Sequence, residues 1–304
     1  MQNRRQFLKM TSGALALGGI SLANLPFAFP AENLPAPGVQ LFTFFNVIDN
    51  DVEGTIKKLA ALGVKNIESA FSKKGDYYGM SSKAFSSLVH DAGMKWRSMH
   101  VFGAPFKLPP GAKGADGKPM ELPPIKNLLE NAQQIIDEAS AGGVEYLVAA
   151  HLPISSEKEI SDSLDILNKA GEAVKKAGMQ LIYHNETADF KTVDGKIPYE
   201  VFLTETDPGT LKFELDIAWA LKAGADPVKL FERYPGRYPL WHIKDMDKDY
   251  KTVLPMGEGA IDYKKYFGYA KAAGLKYYFI EHEAAADPFA SLATSITDIK
   301  NITR

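Results

Sequence analysis

The chain has 304 residues, 45% of them apolar and 24% charged, with a net charge of −2. That balance is ordinary for a soluble globular protein and gives no reason to expect nucleic acid or an anionic membrane as a partner. The absence of cysteine excludes disulfides, thiolate metal sites and thiol nucleophiles.

Residues 1–31 stand apart. Asn3-Arg4-Arg5-Gln6-Phe7-Leu8-Lys9 precedes an uncharged stretch of small and apolar residues over 12–31. A basic start, an apolar stretch and a small-residue end predict an export signal. The paired arginines before Phe-Leu-Lys resemble the twin-arginine type, which exports folded proteins. Gly18, Gly19 and Pro26 interrupt the stretch. A periplasmic protein with no stable membrane span after processing is therefore the expectation.

From residue 36 onward, short apolar runs alternate with helical patterns. Strands are predicted over 39–43, 64–70, 95–101 and 144–149. Helices are predicted over 51–62, 83–92, 125–141 and 157–177. Further strands fall near 181, 213, 240 and 279 with helices between them, and a helix over 291–302 closes the chain. Glycines at 63, 93, 142, 178, 224 and 274 follow the helices, as left-handed C-caps would require. Eight such units in one α/β domain predict a single (β/α)8 TIM barrel over 36–304. A doubly wound open sheet fits less well, because Thr43-Phe44-Phe45-Asn46 is not a Gly-rich phosphate loop. Segment 102–124 is long for a βα loop and is expected to lie over the barrel mouth as a lid.

Four apolar segments in the second half each end in metal-ligand side chains. They are Leu181-Ile182-Tyr183-His184-Asn185-Glu186, Phe213-Glu214-Leu215-Asp216, Leu240-Trp241-His242-Ile243-Lys244 and Tyr278-Phe279-Ile280-Glu281-His282-Glu283. If these are neighbouring parallel strands, their tips converge into a divalent-metal site. Strand alternation puts His184 with Glu186, Glu214 with Asp216, His242 with Lys244 and Glu281 with Glu283 on shared faces. Either His184 or Glu186 can reach the metal from the fifth strand. Glu68, His100 and His151 would join the mouth from earlier strands.

The motifs resemble those of the xylose-isomerase-like superfamily of sugar isomerases and epimerases, and in particular an exported branch of it. The residues are Tyr183-His184-Asn185-Glu186, Glu214-Leu215-Asp216 with Trp219, His242-Ile243-Lys244-Asp245-Met246 and Gly257-Glu258-Gly259-Ala260-Ile261-Asp262. One departure is Glu186, which stands where the branch commonly has a second His. The resemblance implies one divalent ion (Mn first; Mg, Co or Zn as alternatives) held by Glu186 or His184, Asp216, His242 and Glu281. A weaker similarity to apurinic endonucleases lacks the extra histidines of a trinuclear zinc site, since Trp219 stands where one would be expected.

A metal chelating a carbonyl and its neighbouring hydroxyl acidifies the adjacent C–H and stabilises an enediolate. The expected catalytic residues are Glu281, Glu186 and Lys244, the last as oxyanion stabiliser. Glu68, His100, His151, His184, Trp219 and Glu283 are expected to bind the substrate, and Phe102 offers a stacking surface. The expected partner is a small carbohydrate, and a homo-oligomer is compatible with the sequence. Isomerisation or epimerisation of a free sugar or keto-sugar is the primary expectation. Elimination from a 3-keto-glycoside or inosose is the alternative, and a non-catalytic sugar-binding barrel the second.

Overall fold

The computed structural model describes residues 34–302, apart from 107, 109–110, 112–124 and 284. The predicted export signal and most of the predicted lid lie outside the described residues. Among the described residues, no helix is long and apolar enough to cross a membrane.

Eight parallel strands close into a barrel. They are β1 Gly38–Gln40, β2 Asn66–Ser69, β3 Lys95–Phe102, β4 Tyr146–Ala150, β5 Gln180–His184, β6 Leu211–Asp216, β7 Leu240–Ile243 and β10 Tyr277–Ile280. A short antiparallel ribbon, β8 Asp245–Met246 with β9 Val253–Leu254, stands beyond β7. Each barrel strand pairs with its sequence neighbour in the barrel, and β1 pairs with β10 to close the ring. The predicted α/β TIM barrel is therefore what the chain forms.

The helices begin where a short polar side chain can satisfy free N–H groups. Asp51 accepts from the Gly54 N–H, Asn127 from that of Glu130 and Ser156 from that of Glu159. Left-handed glycines follow several of the helices, at Gly63, Gly93, Gly178, Gly224 and Gly274, with one correction at the Gly142-Gly143 pair. Gly143 takes the left-handed turn (φ 72°), while Gly142 stays in the helix. A Cβ on Gly142 would meet the Trp96 ring at 2.6 Å, so this glycine serves close helix–strand packing.

The first strand is also shorter than predicted. It stops at Gln40, and Leu41–Phe44 form a 3-10 turn instead. The Gln40 side chain accepts from the Phe42 N–H and starts that turn. The turn buries Phe44 but leaves Phe42 at the mouth, 38% exposed.

Candidate functional site

Val148, Ile182, Leu240 and Phe279 form an apolar cluster of their own. Two residues further along three of these strands come His184, His242 and Glu281. On β6, Asp216 lies in register with His242. The period of two thus sets a polar layer one step above an apolar plug, at the C-terminal end of the barrel. All four polar side chains are buried. His242 Nδ1 lies 3.1 Å from His184 Nε2, 3.1 Å from Glu281 Oε2 and 3.9 Å from Asp216 Oδ2. His184 Nε2 is 3.8 Å from Asp216 Oδ2.

The other edge of His242 meets a second cluster. Its Nε2 is 2.6 Å from Glu68 Oε1 and 3.2 Å from Glu214 Oε2. His100 Nε2 reaches the same two oxygens at 3.1 and 2.9 Å. Gln40 and Ser98 donate to the two oxygens of Glu68, at 2.7 and 2.5 Å. Carboxylates thus face both edges of His242, with Glu68 and Glu214 at Nε2 and Asp216 and Glu281 at Nδ1. Burial opposes charge on the ring, but Glu214, Glu281 and Glu68 hold its pKa well above the usual range. Carboxylate–imidazole pairs of this kind orient metal-binding histidines. Burial opposes charge on His100, yet Glu68 and Glu214 push its pKa up to about 9. Burial likewise opposes a charge on Glu68, but His100 and His242 hold its carboxyl well below the usual range. His184 behaves oppositely. Burial, then His242 and His100, depress it well below the usual range, so it is a neutral imidazole with lone-pair character.

Lys244 is fully buried and points into the first cluster. Its Nζ lies 2.9 Å from Asp216 Oδ2 and 2.5 Å from Glu281 Oε2, and it also donates to Glu283. The Trp219 ring lies beneath it, 4.7 Å from Nζ to centroid. Burial opposes the charge, but Asp216, Glu281 and Glu283 together hold the ammonium protonated. Asp245, the neighbouring residue, turns away. Its carboxylate accepts from the N–H groups of Met246, Gly257, Gly259 and Ile261. A Cβ on Gly259 would sit 2.3 Å from Asp245 Oδ1, which accounts for the second glycine of Gly257-Glu258-Gly259.

Above the polar layer opens a cleft enclosing about 550 Å³ of space, including open solvent. His100, His151, His184, Glu186, Glu281 and Glu283 line it, as does Phe102. The structure therefore brings His184, Asp216, His242, Glu281 and Lys244 into one cluster. Glu186 stands on the cleft wall above it, and burial raises its carboxyl to about 8. Burial, reinforced by Glu281, also raises Glu283. Glu68 lies beneath the cleft floor with no exposure, and Trp219 faces Lys244. His151 has left-handed backbone (φ 55°) and stacks on Phe102 at 5.2 Å.

Several residues of this site escape sequence reasoning. Gln40 and Ser98 hold Glu68 from β1 and β3. Asn185 clasps the backbone of Asp216, accepting from its N–H at 3.0 Å and donating to its carbonyl at 3.3 Å. Asp216 Oδ1 accepts from the Trp219 N–H at 2.8 Å and so caps the next helix. Only Glu214 carried a signal, through its two-residue spacing from Asp216.

Comparison with known proteins bears on the family and the fold. A protein described as an inosose dehydratase from Lacticaseibacillus casei is 27% identical over 139 residues, covering 40% of this chain and 46% of that protein. The chain thus spans about half the length of the curated relatives it matches. The crystal structure of a sugar phosphate isomerase/epimerase from Parabacteroides distasonis superposes with a TM-score of 0.70. It is 26% identical, and the superposition covers 96% of this chain and 100% of that one. The IOLI protein with a bound zinc atom shares the fold at a TM-score of 0.65 and 15% identity, over 88% of this chain and 98% of that one. The family model for the xylose isomerase-like TIM barrel matches residues 56–300, and the chain belongs to that family.

Proposed function

We propose that the chain is a divalent-metal-dependent sugar isomerase or epimerase, moving the proton beside a carbonyl of a free sugar or keto-sugar through an enediolate. The observation that carries this reading is the convergence of Asp216, His242 and Glu281 beneath an open cleft, with the Lys244 ammonium drawn between two of the carboxylates. A buried spot that gathers an ammonium in this way is built for positive charge. The donors fit a divalent ion: neutral imidazole from His184, imidazole from His242, and carboxylates from Asp216 and Glu281. With His184 as the fifth-strand ligand the set holds two nitrogens, which suits Mn, Co or Zn better than Mg.

When bound, a divalent ion supplies Lewis acidity toward a carbonyl and its neighbouring hydroxyl. The protein's own residues then carry the proton. Glu186 stands half-buried on the cleft wall, where burial raises its carboxyl to about 8, and it is placed to accept and return the proton. Glu281 faces the same cleft from β10 and is the second carboxylate available to the reacting carbon. Lys244 places positive charge where oxygen charge develops. His100 and His151 reach sugar hydroxyls from the cleft wall.

Elimination is the second reading. The curated relatives described as inosose dehydratases favour it, because dehydration starts from the same proton removal. Incubating metal-loaded protein in D2O with keto-sugars and 3-keto-glycosides separates the outcomes. Deuterium in an intact sugar supports isomerase or epimerase, release of water or an aglycone supports elimination, and neither result leaves only a binding barrel. We also propose export, on the Arg4-Arg5 signal pattern. Recovery of the protein in the cytoplasm alone after cell fractionation would contradict it.

A further inference from the structure

The cleft has two unlike walls. One carries His184, Glu186, Glu281 and Glu283. The other is aromatic and comes from three separate segments. Phe42 packs on Phe45 at 5.1 Å between centroids, Phe45 on Phe71 at 5.9 Å, Phe71 on Phe102 at 6.1 Å, and Phe102 on Phe106 at 5.3 Å. The rings form one continuous arc around the β1–β3 side of the mouth.

Exposure marks this arc as a binding surface. Among the described residues only three large hydrophobic side chains are exposed, and two of them, Phe42 at 38% and Phe106 at 43%, sit at its ends. Apolar surface gathered at a cleft rather than scattered singly marks a place that a ligand covers. The arc runs over four successive ring spacings, longer than a single pyranose. The cleft residues beside its rings are Ala70, Val101 and Ala150, none with a side-chain polar group, and His151, whose imidazole is itself stacked on Phe102. A second sugar ring laid there would find the His151 edge as a polar partner but would bury most of its hydroxyls unpaired, which costs free energy. A planar aromatic group would not, and it would meet the phenyl rings in the tilted and edge-on arrangements such pairs prefer.

Building on the reading that a sugar occupies the polar wall, we infer that the substrate is an aryl glycoside or aryl-substituted sugar, its aromatic part lying along the Phe42–Phe71–Phe102 arc. Saturation-transfer NMR on the metal-loaded protein tests this without requiring turnover. The probes are phenyl β-D-glucoside, 4-nitrophenyl β-D-glucoside, methyl β-D-glucoside and cellobiose. The aryl protons should receive the strongest saturation, and the aryl glucosides should bind about ten-fold tighter than the methyl glucoside, as one or two aromatic contacts give. Phe71→Ala should remove that preference. Phe42→Ala, at a partly exposed position, should reduce it and guards against a folding defect at Phe71. Equal affinity for methyl and phenyl glucosides, preference for cellobiose, absence of aryl binding, or an aryl preference unchanged in both variants would overturn the inference. Loss of the isomerase reading would appear separately, in the deuterium assay.

Discussion

The Nζ of Lys244 stands 2.5 Å from Glu281 Oε2, in a place where the lysine has no contact with solvent. Three carboxylates share this one ammonium, since Asp216 and Glu283 also lie against it. Lys244 therefore both stabilises the metal-free site and competes for its oxygens. In Lys244→Met the metal-free protein should lose about 3–5 kcal/mol, the cost of leaving buried carboxylates unpaired. Saturating Mn²⁺ should restore most of the lost Tm, and calorimetry should show tighter Mn²⁺ binding than in wild type. Weaker or unchanged Mn²⁺ affinity would show that Lys244 does not occupy the cation's place.

His184 and Glu186 separate by role. His184→Ala should weaken metal binding about 10–100-fold, because it removes an imidazole beside His242 Nδ1. Glu186→Gln should leave metal affinity within about threefold but lower kcat about 10²–10⁴-fold, as expected for a lost proton carrier. The reverse pattern would make Glu186 the fifth-strand ligand.

Glu68 sits under the floor and acts through His242. In Glu68→Gln the carboxylate facing His242 Nε2 is lost, and metal affinity should fall about 10–100-fold while the fold persists. Isothermal calorimetry beside circular dichroism reads both. Unchanged affinity would make the Glu68 network purely structural.

Asp189 gives a pH test at a carboxyl outside the proposed ligand set. Burial raises its carboxyl to about 6, although the Tyr183 hydroxyl and the Glu186 N–H donate to it and work the other way. A folded pKa above the unfolded value means that stability is greatest while the group is protonated and declines as pH rises from about 4 to 6. The Tm of Asp189→Asn minus that of wild type should therefore be more positive at pH 7 than at pH 4. An equal or smaller difference at pH 7 would contradict this.

Much of the barrel was legible because helix ends and strand starts carry strong chemistry. A glycine after the helix and a capping residue before it mark many of the units, as Ser156 and Gly178 do for Glu157–Lys176. The polar layer was legible through the period of two, which put His242 and Asp216 on one level. The same period hid the choice between His184 and Glu186. They share a face, and only their height above the plug at Ile182 separates them. Lys244 was readable as inward-facing, but not as an ammonium spanning three carboxylates, because that depends on where β6 and β10 bring their tips. The aromatic arc was out of reach beyond Phe102, since Phe42 is placed by a 3-10 turn where the sequence suggests continued strand.

The account rests on a divalent ion held by the strand-end cluster. Metal analysis of purified protein under metal-replete conditions, wild type beside Asp216→Ala and His242→Ala, tests it most directly. The prediction is one divalent ion per wild-type chain and almost none in either variant. A wild-type chain that binds no divalent ion, or variants that bind as much as wild type, would contradict it.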